Sequence, residues 1–360
     1  MKTLKDILYK AGIVDVIGTT NMSIPSICFD SRKISKGCLF IAVRGTKTDG
    51  HDFIDQAVSM GAAAIVCEEL PENISATTSY VKVKDSSVAL GFLAANFYDN
   101  PSEKIKLIGV TGTNGKTTTA TLLFKLFRKL GYNTGLLSTV KNQINDQVIP
   151  STHTTPDALQ LNALLSAMVS EDCEYCFMEV SSHAVVQNRI KGVRFAGGVF
   201  TNITRDHLDY HQTFSAYIKA KQQFFDELDE ESFALTNIDD KNGEIMIQNT
   251  KAKRWTYSLK GMSDFKCKIL ENNFSGLLLN IDGQEVLCKL IGSFNAYNLL
   301  AVYGTAVLLD QDKFKVLTAL SDLGSVEGRF DYIQSENNIT GIVDYAHTPD
   351  ALENVLNTIS

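Results

Sequence analysis

Apolar positions along the chain fall into short runs separated by amphipathic stretches, an order that predicts strands alternating with helices. Residues 38–43 and 62–67 are near-continuous apolar runs and predict buried strands, with a helical stretch over 51–60 between them. Turn chemistry at residues 98–102, centred on Asn100 and Pro101, marks a first boundary. Beyond it, apolar runs at 105–110, 176–180 and 198–201 are interleaved with helical stretches such as 117–130. That alternation predicts an α/β fold with a parallel sheet covered by helices on both faces. Three segments are expected: a small α/β domain over residues 1–97, a central sheet domain over 98–325, and the beginning of a further domain over 326–360. The last holds a strand at 341–344 and a helix starting at Pro349, too little for an independent core.

Composition narrows the function classes. The 360 residues are 44% hydrophobic, enough for a sizeable core, and a net charge of −7 leaves no basic face for nucleic acid. No run of about 18 uncharged apolar residues predicts a membrane span, and the first six residues lack the apolar core of a signal peptide. A soluble cytoplasmic protein is the expectation. Seven cysteines form no regular framework; Cys173 and Cys176 make a C-x-x-C without a second pair, inside an apolar run, and read as small core residues.

The apolar run 107–110 leads into Thr111, Gly112, Thr113, Asn114, Gly115, Lys116, Thr117 and Thr118, followed by the helical stretch 120–130. Strand, glycine-rich loop and helix are what a phosphate-binding loop requires. Glycines let backbone N–H groups face phosphates, Lys116 reaches the terminal phosphates, and the Thr117 hydroxyl suits magnesium. Val110 occupies the first glycine position of the general pattern, a departure in spacing. The loop is expected to bind ATP or another nucleoside triphosphate.

Glu179 closes the run 176–180, where ligands gather in open α/β sheets, and could hold magnesium; a surface carboxylate or helix cap is the alternative. The run 198–202 leads to His207 and His211, four residues apart, which read either as part of a zinc site or as a hard-cation site shared by His207 and Glu179, with His211 packed. Lys221 lies in a helical pattern and by itself reads as a solvated lysine.

These segments, with residues 292–301 and 344–350, together resemble the Mur ligases over essentially the whole chain. Asp30, Ser31 and Arg32 with Asp49, Gly50 and His51 resemble the N-terminal domain of the MurE and MurF types, and residues 344–350 resemble the MurE type. The resemblance implies a UDP-binding N-terminal domain, a central ATPase domain and a Rossmann-like third domain. It implies that Ser31, Thr46 and Thr48 contact uridine diphosphate, and that Thr154, Thr155, Ser181, Gln187 and Arg189 hold the muramoyl dipeptide. Asn295, Arg329, Asp344 and His347 would frame the nucleotide. Thr117, Glu179, His207 and Lys221 would serve two magnesium ions, Lys221 as an N6-carboxylysine formed with CO2, which reverses the solvated reading.

The implied activity is ATP-dependent addition of a diamino acid, diaminopimelate or lysine, to UDP-MurNAc-L-Ala-D-Glu through an acyl phosphate, by a monomer. Ala184 stands where these ligases usually carry glycine. The resemblance also implies a missing C-terminal portion, so the chain is expected to bind ATP and the UDP-precursor without forming the amide. The alternatives are a non-catalytic nucleotide- or UDP-sugar-binding protein, another ligase of the superfamily such as folylpolyglutamate or cyanophycin synthetase, and a zinc enzyme.

Overall fold

The computed structural model describes residues 2–45, 48–151, 153–334 and 340–359. The chain forms two compact units: Met1–Lys104 with Pro156–Val169 and Val186–Val193, and Ile105–Thr155 with Ser170–Val185 and Arg194–Ser360.

The first unit is built on a sheet whose strands lie in the order Ile13–Ile17, Ser79–Val83, Ala64–Cys67, Leu39–Ile41, Ile27–Cys28. All neighbours are parallel except the first pair. Successive side chains of a strand point to opposite faces, and both faces here are covered. Leu39, Ile41, Val66 and Val81 pack with Ala89 and Leu93 of the helix Ser86–Phe97, while Phe40, Ile65 and Tyr80 pack with Ile54 and Ala57. This is why the sequence runs are continuous rather than alternating. The expected helix over 51–60 is a 3-10 turn, Gly50–Phe53, continued by Ile54–Ser59. Residues 156–169 and 186–193 join this unit from far along the chain; Ala158 enters its core.

The second unit carries, among the described residues, an eleven-stranded sheet. Its parallel middle runs Thr134–Leu137, Tyr175–Glu179, Lys106–Thr111, Gly197–Phe200, Phe233–Asn237, Lys253–Ser258, Phe265–Asn273. Antiparallel strands extend both edges. From Lys106–Thr111 the chain crosses to one side of the sheet, and from Gly197–Phe200 to the other. The neighbouring carboxyl ends of these two strands therefore bound the crevice where open α/β sheets take ligands.

The two faces of this sheet are filled differently. Ile108, Val110 and Leu235 pack with Leu122 and Leu126 of the helix Lys116–Lys129 and with Leu299 of the helix Ser293–Leu308. On the opposite face Gly109 and Gly198 leave room for Phe224 and Phe225 of the helix Phe214–Asp226. A Cβ at Gly109 would stand 2.5 Å from the Phe224 ring, and one at Gly198 2.9 Å from it. Bare strand backbone thus lets this helix approach unusually closely. The last described residues add the hairpin Asp331–Gln334 with Thr340–Val343 and the helix Pro349–Ile359.

Gly109→Ala is expected to destabilise the protein by about 1–3 kcal/mol, because close-packed neighbours must shift to admit the methyl group. Urea denaturation reads this directly; an unchanged midpoint would show that Phe224 yields freely.

Candidate active site

Gly112 leaves the strand Lys106–Thr111 with φ +152° and passes so close to Thr201 that a Cβ would lie 1.9 Å from its Oγ1. Gly115 turns at φ +84° to start the helix Lys116–Lys129, and a Cβ there would meet Asn298 Oδ1 at 2.5 Å. Neither position has room for a side chain. The loop is braced from the next strand: Asn114 N–H donates to Asn202 Oδ1 at 2.9 Å, and Thr201 Oγ1 donates to the Asn114 carbonyl at 2.6 Å. Val110 is buried within the strand, so the turn begins at Gly112 and the spacing departure costs nothing. Lys116 Nζ donates to the carbonyls of Gly112 (2.9 Å) and Thr113 (2.7 Å). Burial lowers its pKa, opposed by the charges of Glu179 and Asp206.

Lys221 is not solvated. It is 1% exposed, donates from Nζ to the same Gly112 carbonyl at 2.8 Å, and stands 4.8 Å from the centroid of the Tyr217 ring. Its position follows from the packing above: Phe224 and Phe225 seat the helix against Gly109 and Gly198, and Lys221 projects from the preceding turn. Burial pushes its pKa well below the ordinary lysine value, nearby Lys116 pushes it further, and Asp206 opposes. Burial and the neighbouring cation both favour loss of the proton, which would leave a nucleophilic amine.

Glu179 is likewise buried, 1% exposed, at the end of its strand and in register with Val110. Its carboxylate accepts from the Thr139 N–H (2.7 Å) and Oγ1 (3.2 Å), which removes the surface and helix-cap readings. His207 adopts a left-handed backbone, φ +52°, with Asp206 Oδ1 accepting its N–H at 2.8 Å. Burial lowers the His207 pKa, with the Asp206 charge opposing and Lys116 and Lys221 adding to the shift. His211 is buried and its Nε2 meets Ser182 Oγ at 2.9 Å, so it packs rather than pairing with His207. Among the described residues no group of three His, Cys, Asp or Glu side chains could hold a metal ion.

One cleft of about 480 Å³ in the second unit is lined by Thr113, Asn114, Gly115, Lys116, Thr117, Thr118, Glu179, His207 and Lys221 together with Thr154, Ser181, Asn295, Arg329, Asp344 and His347. Arg329 Nη2 donates to Thr117 Oγ1 at 3.1 Å, its Nε–H is buried without a partner among the described residues, and its guanidinium lies 4.8 Å from the Tyr345 ring centroid. Asn295 donates to the Ile291 carbonyl and accepts from Asn298 Nδ2. Thr155 is outside the cleft lining: it is fully buried, and its hydroxyl donates to the Glu179 carbonyl and accepts from the Ser181 N–H. Its hydroxyl therefore shapes the strand end.

The remaining expected residues belong to the first unit. Ser31 opens a 3-10 turn capped by Asp30. Thr48 closes a turn by accepting the Gly45 N–H at 3.0 Å, and Thr46 lies outside the described residues. Arg189 donates to Gln187 Oε1 through Nε and Nη2. Behind the Thr48 turn, His51 meets Asp49 Oδ1 through Nδ1 at 2.6 Å and accepts the Glu68 N–H at Nε2.

Sequence reasoning missed Thr139, Asp206, Asp239 and Asp240, all on the cleft wall. Asp206 was in view beside His207; Thr139 and the aspartates stand in segments without a local pattern and are brought in by sheet order alone. Cys173 and Cys176 are buried free thiols whose pKa values are raised by burial, as expected for core residues.

A glycine-rich loop at the switch point of a parallel sheet, with two lysines and a buried Glu at its mouth, defines a nucleotide-binding α/β protein. The chain belongs to the Mur ligase family: residues 110–306 match the family's middle domain, described as "Mur ligase middle domain", and residues 23–98 match "Mur ligase family, catalytic domain". It is 60% identical, over 99% of its length and 74% of the relative's, to the UDP-N-acetylmuramoyl-L-alanyl-D-glutamate--2,6-diaminopimelate ligase of Cytophaga hutchinsonii. The ligase of the same name from Bacteroides fragilis is 56% identical over 99% of this chain and 73% of its own. A solved structure of a UDP-N-acetylmuramoyl-L-alanyl-D-glutamate--2,6-diaminopimelate ligase superposes with a TM-score of 0.84 at 28% identity, covering 99% of this chain and 74% of that one. MurF from Acinetobacter baumannii shares the fold, with a TM-score of 0.70 at 20% identity over 99% of this chain and 76% of its own.

Lys221→Met should stabilise the protein near neutral pH in CO2-free buffer. A lysine whose folded pKa is depressed penalises folding fully below that value, and the penalty fades as pH rises toward the unfolded value of 10.5. The advantage of the variant should therefore shrink as pH approaches 10.5. Urea denaturation at several pH values measures it, and a pH-independent difference would remove the buried cation as its source.

Proposed function

We propose that this protein is an ATP-dependent ligase that joins 2,6-diaminopimelate to UDP-N-acetylmuramoyl-L-alanyl-D-glutamate in peptidoglycan synthesis, in the cytoplasm. The observation that carries the reading is the convergence of Lys116, Lys221 and Glu179 on the phosphate loop, in a chain 60% identical to a ligase of that name. Among the described residues no helix is long and apolar enough to cross a membrane. Residues 1–97 are assigned to the UDP-precursor, 98–325 to ATP, and 326–360 to the start of the amino-acid-binding domain.

The cleft suits a triphosphate with magnesium. Gly112 and Gly115 provide a cradle that any Cβ would fill, and Arg329, whose Nε–H is buried without a partner among the described residues, lines a cleft that also holds Lys116 and Lys221. Glu179, the Thr117 hydroxyl and His207 are the donors that would hold magnesium, which when bound neutralises charge on the transferring phosphoryl group. Loop N–H groups and Lys116 hold the β- and γ-phosphates in place while the D-glutamyl carboxylate attacks the γ-phosphorus and ADP departs. The diaminopimelate amine then attacks the acyl carbon; the C–N bond forms, phosphate leaves with the C–O bond pair, and the amine loses a proton. Thr154 and Ser181 line the same cleft and are assigned to the dipeptide, with Gln187 and Arg189; Ser31, Thr46 and Thr48 are assigned to uridine diphosphate.

Lys221 is assigned as the carbamylated residue. Its neutral amine attacks CO2, the N–C bond forms, one π pair moves to oxygen and the nitrogen proton passes to water. This converts one of two lysines crowded on a single carbonyl into an anionic oxygen donor. In a full-length version Lys221→Ala should be nearly inactive and partly restored by acetate or formate, and unaltered activity would take Lys221 out of the metal site.

ADP release that requires the UDP-dipeptide is the expected signature of the unaltered protein. Lys116→Ala should abolish it and leave UDP-dipeptide binding largely intact by isothermal titration, since Ser31 and Thr48 belong to a different compact unit. Mass spectrometry for the UDP-tripeptide, with diaminopimelate or lysine supplied, identifies the amine. Binding of both ligands without ADP release, in this chain and in a full-length version, would make the protein a binder rather than a ligase.

A further inference from the structure

We propose that Phe330 is a positioning residue for the nucleotide: its left-handed backbone, pinned between Asp344 and Phe294, aims Arg329 at the phosphate loop. The inference rests on the reading of the cleft as an ATP site.

Phe330 has φ +45°, a conformation that bulky side chains rarely adopt and that persists only where the surroundings impose it. Two contacts impose it here. The Phe330 N–H donates to Asp344 Oδ2 at 2.6 Å, and its ring, 3% exposed, packs edge-to-face on Phe294 with centroids 5.7 Å apart. Phe294 stands in the first turn of the helix Ser293–Leu308, beside the cleft residue Asn295. The other carboxylate oxygen of Asp344 accepts the Ala346 N–H at 2.7 Å. Both oxygens of Asp344 are thus engaged with backbone, one of them on the strained residue.

Arg329 immediately precedes this joint. Its N–H donates to the Val326 carbonyl at 2.8 Å, closing the turn, and the Gly328 carbonyl accepts the Tyr345 N–H at 3.1 Å. From this turn the guanidinium reaches Thr117 Oγ1 across the face of Tyr345. A negative φ at residue 330 would swing the turn 326–329 relative to the strand Asp331–Gln334, and Arg329 would leave the phosphate loop. Without such an anchor the strain would relax in that direction. The helix that carries Asn295 therefore helps hold Arg329 in place through one aromatic contact.

The test is ATP affinity by isothermal titration for the full chain, Phe330→Gly, Arg329→Lys and the double variant. Glycine tolerates φ +45° but removes the ring and permits other conformations. Each single substitution is expected to weaken ATP binding roughly tenfold, the effect of one charge-assisted hydrogen bond. If Phe330 acts through Arg329, the double variant binds no more weakly than Arg329→Lys alone. Multiplied single effects, or unchanged affinity in Phe330→Gly, overturn the proposal while leaving the ATP site standing. Should Phe330→Gly not fold, Phe294→Leu replaces it in the same cycle with the same expected pattern. An unaltered chain that binds no ATP overturns both the ATP reading and this one.

Discussion

The carbonyl oxygen of Gly112 accepts hydrogen bonds from two lysines, the half-buried Lys116 of the loop's own helix and the buried Lys221 of a helix a hundred residues further along the chain. Two ammonium groups on one acceptor, one of them buried, would repel strongly. The arrangement is tolerable only if one amine is neutral or converted to an anion, or if dense negative charge sits nearby. Glu179 and Asp206 supply part of that charge, and a nucleoside triphosphate would supply the rest. Two lysine amines on one carbonyl thus disfavour each other's charged form unless such negative charge is close by.

That convergence depends on what is absent from the sheet. Gly109 and Gly198 leave the strand backbone bare, so Phe224 and Phe225 can sink onto it and carry Lys221 inward. Gly112 allows Thr201 to approach the loop, and Gly115 makes room for Asn298. Four missing side chains set the distances between the loop and three other elements. The buried hydroxyl of Thr155 and the Thr139 contacts to Glu179 fix the remaining wall.

Much of this was legible in the sequence. The phosphate loop announces itself because all its parts are consecutive: strand, glycines, lysine and helix start must be covalent neighbours to work. The resemblance of five separated motifs to the Mur ligases extended the reading to Lys221, Asn295, Arg329 and Asp344, all beyond the reach of local pattern. Lys221 by its own surroundings reads as solvated, because a helical lysine immediately before a polar pair looks the same whether it faces water or a cleft. Thr155 was assigned to a ligand, whereas its hydroxyl is consumed within the scaffold.

What the sequence determined by itself is the alternation of strands and helices, the parallel sheet and the loop, since these follow from hydrophobic period and from contiguous residues. Only the tertiary structure decided which strand ends meet and which polar groups are left for ligands. It placed Glu179 beside the loop by pairing its strand with Lys106–Thr111, and it recruited residues 156–169 and 186–193 to the first unit. The physical reason is that periodicity records which face of an element is buried, while the partner of that face is chosen by close packing among residues far apart in the chain.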